Sequence, residues 1–438
     1  MNQSNTPGIA IPHILIPGKG VNLSKWAVIA CDQFTSQPEY WERVKQIVGE
    51  SPSTYHMILP EVYLGTSDET SQIQRINRTM ESTLASGILI HHDGPIYIER
   101  TYNGKTRKGL MLCLDLEEYD YNKGSQTLIR ATEGTILERL PPRIRIREHA
   151  PMEIPHIIAL IDDPKGKVIE PLAANKQRMP VLYDFDLMED SGHLTGYSVA
   201  DERLQHSITE ALQNLTDRRS FQEKYSTSPD KKVLLVAIGD GNHSLATAKA
   251  IWNNIKAQVG MDHPARYALV EIENIHDKAI EFEPIHRVLF NLKDDLLQAF
   301  SRYYEGRVSI KQTGSSQEMI DETVQLEPQD QKIGVIFSGG FYVARISDPP
   351  SNIAVGSLQI FLDDFIKHGG AGRIDYVHGE DVLLDLGHQQ NNAGFYLPPV
   401  KKHDLFKTVI VDGVLPRKTF SMGSAKAKRF YLECRKIV

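Results

Sequence analysis

The stretch 231–252, KKVLLVAIGDGNHSLATAKAIW, decides the fold. Behind two lysines, the apolar run 233–238 reads as a buried central strand. Gly239 and Gly241 then permit a tight turn, and Ser244 reads as the cap of a helix over 244–256. Upstream, 201–225 reads as one long amphipathic helix, broken from the strand by 226–230. Further back, RIRIR at 143–147 alternates like a strand with its arginines in solvent, and HIIALID at 156–162 is an apolar strand candidate. Over 88–116, Asp93-Gly94 and Asn103-Gly104 each sit between β-favouring runs and predict two hairpins. WAVIA at 26–30 reads as the first buried strand, and 39–48 and 71–86 read as helices.

Downstream, 267–272 and 280–282 predict strands, 294–304 and 358–368 predict helices, and the last 60 residues mix both. Strands and helices alternate without a regular βαβ rhythm, so the expected class is α+β with mixed sheets. Three regions follow: 1–127 with the hairpins, 128–346 carrying the glycine turn, and 347–438.

Composition narrows the function. With 438 residues the chain has room for two or three domains. Its 41% hydrophobic and 24% charged residues are those of a globular protein. A formal net charge of -7 supplies no global field for a polyanion, which argues against a nucleic-acid partner. Three scattered cysteines, Cys31, Cys113 and Cys434, have neither disulfide-framework nor zinc spacing and fit a reducing compartment. The N-terminus is broken by Pro7, Pro12 and Pro17 and lacks a basic start, so it is not read as a signal peptide. No apolar run approaches the roughly 20 residues that cross a bilayer. The expectation is a cytoplasmic protein without a membrane partner. Oligomeric state is left open.

The glycine turn also carries the candidate chemistry. A helix start presents free N–H groups and the positive end of its dipole, a ready site for phosphate. Asp240 and His243 flank it as candidate acid or base. The same residues equally make a tight turn in which Asp240 only caps amides. The common phosphate loops, the protein-kinase set, G-x-S-x-G and H-E-x-x-H are all absent from the sequence. His91-His92-Asp93 sits at an expected hairpin turn and reads as solvated surface. Lys426, Lys428, Arg429, Arg435 and Lys436 likewise read as a solvated basic face.

DGNHSLATAK resembles the D-G-H-H-R-x-x-x-A motif of the domain-of-unknown-function 1015 family, and the resemblance runs nearly the whole chain. Residues 31–36, CDQFTS, match its early loop, and Thr132-Glu133-Gly134-Thr135 its H-E-x-T element. Pro284-Ile285-His286-Arg287 matches P-x-H-R, and Pro416-Arg417-Lys418-Thr419-Phe420 the C-terminal P-x-K-[ST]-x. The motif is also similar to that of the ParB/sulfiredoxin superfamily, which includes free-serine kinases and binds nucleotide phosphate at a strand, turn and helix. The resemblance implies a kinase for a small hydroxyl metabolite such as free L-serine, using ATP or ADP with Mg²⁺. It offers Asp240, His243 and Glu133 as catalytic residues. It offers Gly239, Gly241, Asn242, Ser244, His286, Arg287 and Arg139 as nucleotide contacts, and Asp32 and Thr135 as substrate contacts; metal ligands are not identified. His286-Arg287 is read at the start of a helix. The alternative is a ParB-like nucleotide-binding switch, or a nucleic-acid-associated module, without turnover. Asn242 and Ser244 stand where the motif has histidine and arginine, removing a bidentate phosphate donor. The motif holds no cysteine, which argues against sulfiredoxin-type reduction.

Overall fold

The structure, a computed structural model, describes residues 2–3, 6–65, 68–325 and 330–438, with backbone alone at Asn2, Gln3 and Arg139. It is a mixed α/β fold with several sheets. Two compact units form, one from residues 1–280 together with 423–438 and one from residues 281–422. These limits differ from the three regions read at 1–127, 128–346 and 347–438.

An eleven-stranded mixed sheet organises the first unit. Its central order is Ile96–Tyr102, Lys105–Asp115, Tyr267–Asn274, Ile158–Ile161, Val236–Asp240 and Ile129–Ala131. Val236–Asp240 runs antiparallel to Ile158–Ile161 and parallel to Ile129–Ala131. Both faces are covered, which is why these strands are continuous apolar runs. Period-two alternation sends Leu110, Leu112 and Leu114 to one hydrophobic cluster and Met111 and Cys113 to the other. The apolar run at 233–238 enters the sheet only at Val236, and the following helix is Asn242–Val259.

In the second unit a six-stranded antiparallel sheet is ordered Val308–Thr313, Gly340–Ser347, Asp330–Phe337, Ala393–Tyr396, His286–Phe290 and Arg373–Val377. Val288, Met319, Ile336, Val343 and Leu383 form its core. His286 and Arg287 begin a strand here, not a helix.

Local expectations fail where a distant partner outbids local pattern. Asn103-Gly104 does close a two-residue hairpin, with φ of 49° and 71°. Asp93-Gly94 does not, because Leu89–Asp93 pairs with His13–Pro17 in another sheet. His92 on that strand is buried and bonds Pro95 O at 3.2 Å, so His91-His92-Asp93 is not wholly solvated. The run 143–147 is helical, within Leu140–Arg147; Pro141 and Pro142 occupy the first turn, where no amide donor is missed. The long helix expected at 201–225 is two, Glu202–Leu215 and Arg218–Tyr225, the second capped by Asp217 accepting from Ser220 N.

The basic C-terminus departs most from its reading. Lys428, Arg429 and Arg435 are buried, not solvated. Arg429 pairs with Glu271 and Glu433, and Arg435 with Glu153 at 2.6 Å. Glu271 stands on a strand whose every residue is buried, and Gly109 on the neighbouring strand leaves it room, since a Cβ there would collide with the Glu271 carboxylate. Among the described residues no helix is long and apolar enough to cross a membrane.

Candidate active site at the glycine turn of the first unit

Strand Val236–Asp240 delivers Gly239 and Asp240 to the sheet's end, where both become half-buried. Gly241 follows in the left-handed region at φ 81°, and a Cβ there would stand 3.0 Å from Ile157. Only glycine fits that turn without strain. Gly241 is itself the N-cap of Asn242–Val259, with no side-chain capping bond. Having no side chain, Gly241 offers the first amides of this eighteen-residue helix no capping acceptor of its own.

Ser244 is not the cap. It lies inside the helix, and its Oγ is 3.1 Å from His156 Nε2. Nor does Asp240 cap amides; its partner is the buried Lys428, Nζ to Oδ2 at 3.3 Å. Asn242 is buried and structural: its Oδ1 accepts from Thr132 N at 3.2 Å, and its Nδ2 donates to Thr132 Oγ1 at 3.3 Å. Thr132 Oγ1 in turn donates to Ile238 O at 2.5 Å. Ile136 N donates to His243 Nε2 at 3.4 Å, which places the ring proton of a neutral His243 on Nδ1. The segment 132–136 is therefore pinned to the helix start at both ends. Glu133 and Thr135 lie between the pins, and the Thr135 hydroxyl is buried with no hydrogen-bond partner. Such an orphan is uncommon in a settled interior.

Asp32 ends the segment after the short strand Val28–Ile29 and lies 3.9 Å from His156 Nε2. Burial works to raise its carboxyl, but His156, the Gln33 amide and Lys428 outweigh it and hold the group below the usual carboxylate range. Tyr431 OH contacts His156 Nδ1 at 2.9 Å, donates to Cys31 Sγ at 3.1 Å and accepts from Cys31 N at 3.2 Å. Burial, then the Asp32 charge, pushes the Cys31 thiol up to about 12, so it is a poor nucleophile near neutrality.

A cavity opens beside Ser244, with about 140 Å³ open to the centres of water-sized molecules. Ser244, His156, Tyr431 and Cys31 line its polar side.

The structure thus brings Asp32, Asp240, His156 and Lys428 together and sets Glu133, Thr135 and His243 against the same helix start. His286 and Arg287 lie in the second unit, both buried. There His286 Nδ1 accepts from Leu397 N at 3.1 Å while its ring stacks on Tyr396, and Arg287 donates to Gln359 Oε1 and Arg417 O. The side chain of Arg139 lies outside the described residues. Sequence reading missed His156, Lys428 and Tyr431. The carboxylate Glu433 embedded in RFYLECR, an acid unexpected in a basic solvated face, was a signal for its partner Arg429, and nothing local marked Lys428.

Among solved structures, a free serine kinase in complex with AMP is similar at a TM-score of 0.36 and 11% identity, covering 75% of this chain and 91% of that one. A free serine kinase mutant in complex with ADP gives 0.37 and 10%, over 76% and 92%. A conserved hypothetical protein from Pyrococcus furiosus gives 0.34 and 10%, over 74% and 90%. No curated protein matches the chain. The family model that does match spans residues 15–364, and the chain belongs to that family, described as Protein of unknown function (DUF1015).

Proposed function

We propose that this protein is a nucleotide-dependent phosphotransferase acting on a small hydroxyl compound, with free L-serine as the acceptor suggested by the motif's resemblance. In this reading the strand, glycine turn and helix are a ParB/sulfiredoxin-like phosphate site. The observation that carries it is the uncapped helix start at Gly241 with the Lys428 ammonium held beside it by Asp240. Amide donors at a helix start and one buried cation together suit phosphate oxygens. Phosphoryl transfer is catalysed chiefly by positioning and charge, so a sparse site suffices.

The chain's residues divide the work. The amides after Gly241 and the Lys428 ammonium bind phosphate of ATP or ADP. Asp240 orients Lys428, and the unpartnered Thr135 hydroxyl is free to accept or donate one bond to the ligand. Among the described residues no three His, Cys, Asp or Glu side chains group as a metal set. Mg²⁺ needs only one or two carboxylates alongside phosphate oxygens, so the lack of such a set does not count against it. When bound, the ion would neutralise phosphate charge.

Thermal denaturation with ATP, ADP and pyrophosphate, each with and without Mg²⁺, tests the binding half. A ligand at 100 times its dissociation constant stabilises by about 2.7 kcal/mol. Absence of any shift with all three would remove the reading. Binding without phosphorylation of any hydroxyl compound would favour the switch.

A further inference from the structure

We infer that the cavity beside Ser244 is the acceptor's site, that the acceptor is an alcohol with an apolar body, and that His156 receives its proton. The inference rests on the phosphotransferase reading and replaces the L-serine acceptor that the motif's resemblance suggests.

The cavity has one wet side and one dry side. Met57, Leu59, Leu64, Met80, Ile146 and Leu269 supply the dry wall. The wet floor is Ser244, His156, Tyr431 and Cys31, and Ser244 belongs to the same first helical turn whose amides face phosphate. Arg143 and Arg147 also line the space, but Arg143 is paired with Glu61 and Arg147 with Glu153 at 2.5 Å. A free amino acid brings an ammonium and a carboxylate, each of which needs an opposite charge when desolvated. The ionic groups here are turned to one another, and what the wall offers is apolar area. Each methylene buried against such a wall is worth about fourfold in affinity.

The geometry of the floor suits His156 to the part of the base. Tyr431 OH has one proton, donated to Cys31 Sγ, and its oxygen already accepts from Cys31 N. Its contact to His156 Nδ1 at 2.9 Å is satisfied when a neutral ring carries its proton on Nδ1. In that tautomer Nε2 accepts from Ser244 Oγ, 3.1 Å away on the cavity floor. In the proposed step an acceptor hydroxyl takes the place of the Ser244 hydroxyl at this nitrogen. Asp32, 3.9 Å from the same nitrogen, stabilises the imidazolium that results. In the step, the alcohol oxygen bonds to the terminal phosphorus of the nucleotide and the bridging P–O bond breaks. Its electron pair leaves on the shortened nucleotide, and the hydroxyl proton passes to His156 Nε2. Asp240, tied to Lys428, holds the donor's side of the reaction.

The experiment uses the full chain with ATP, ADP and pyrophosphate in turn as donor and, as acceptors, L-serine, straight-chain primary alcohols of three to eight carbons, and 2-phenylethanol. Phosphomonoester formation is followed by mass spectrometry. KM is expected to fall about fourfold per added methylene until the cavity is filled, with L-serine the poorest acceptor. Leu64→Trp, which fills the dry wall, should abolish the chain-length dependence. His156→Gln should lower kcat by roughly 10²-fold with little change in alcohol KM or in the nucleotide's thermal shift. The alcohols are also titrated without nucleotide, where a melting-temperature rise that grows with chain length and vanishes in Leu64→Trp tests the cavity directly. Phosphorylation of L-serine in preference to every apolar alcohol, or KM independent of chain length, would overturn the acceptor assignment and leave the phosphotransferase reading standing. Unchanged kcat in a folded His156→Gln variant would overturn the base. No nucleotide-induced shift would instead end the reading beneath both.

Discussion

The two ends of the short strand Ile158–Ile161 carry nearly the same chemistry arranged to opposite effect. At one end His156 meets Asp32, Tyr431 and Ser244; at the other Asp162 meets His276, Tyr225 and Lys224. Around Asp162 the partners close tightly: His276 Nε2 at 2.6 Å, Lys224 Nζ at 2.7 Å, and the Tyr225 hydroxyl donating to the remaining oxygen. Around His156 the carboxylate stands back at 3.9 Å, and Thr135 in the segment against the same helix start keeps an unpartnered hydroxyl. A histidine, an acid and a tyrosine do not by themselves mark a site. What separates the two ends is whether bonding capacity is spent inside the protein or left for something else.

The largest expected effect comes from breaking the closed end. Asp162→Ala strands a lysine and a buried tyrosine and should cost about 3–5 kcal/mol in stability by chemical denaturation, with nucleotide binding intact in the folded fraction. A loss under about 1 kcal/mol would erase the contrast. At the open end, Asp240→Asn should leave stability within about 1 kcal/mol while phosphoryl transfer falls roughly 10²-fold. Full transfer activity in that variant would reduce Asp240 to a structural partner of Lys428. Gly241→Ala places a Cβ against Ile157 in a left-handed conformation and should cost about 1–2 kcal/mol, read from the denaturation midpoint.

Acid distinguishes the ends more finely. Burial tends to raise the Asp162 carboxyl, yet its bonds from Lys224 and Tyr225 hold it below the usual range, and Asp32 is depressed as well. A depressed carboxylate contributes stability that is complete above the unfolded value, about 3.9, and is lost as pH falls through the folded one. Melting temperature should therefore be insensitive to these groups near neutrality and drop below about pH 4. Asp162→Asn should flatten that acid limb more than Asp32→Asn, and equal flattening would mean the two carboxylates are held alike.

Much of this arrangement was legible in sequence and some was not, for a physical reason. The apolar run before Gly239 and the Asn103-Gly104 turn are fixed by neighbours in sequence, and a short window contains them. The Lys428 partnership is with Asp240, and those of Arg429 and Arg435 are with Glu271 and Glu153. A buried cation looks identical to a solvated one until its distant acid is known. The same blindness put Ser244 at the cap: its hydroxyl is claimed by His156, 88 positions earlier. RIRIR misled because alternation is also compatible with one helical segment whose arginines each reach a separate acid, Glu61, Glu69 and Glu153.

The first unit is completed by residues 423–438, after the whole of the second has been made. On the ribosome this sets an order of events. Residues 281–422 can close on themselves while the large sheet still waits, because Glu153 and Glu271 must not be sealed away before Arg435 and Arg429 emerge. Lys428 lies in the same segment, so Asp240 has no Lys428 partner until residues 423–438 have been made. Stalled chains ending at Met422 should accordingly be protease-sensitive across residues 6–280 while 281–422 resists, and uniform resistance would show that the large sheet closes without residues 423–438.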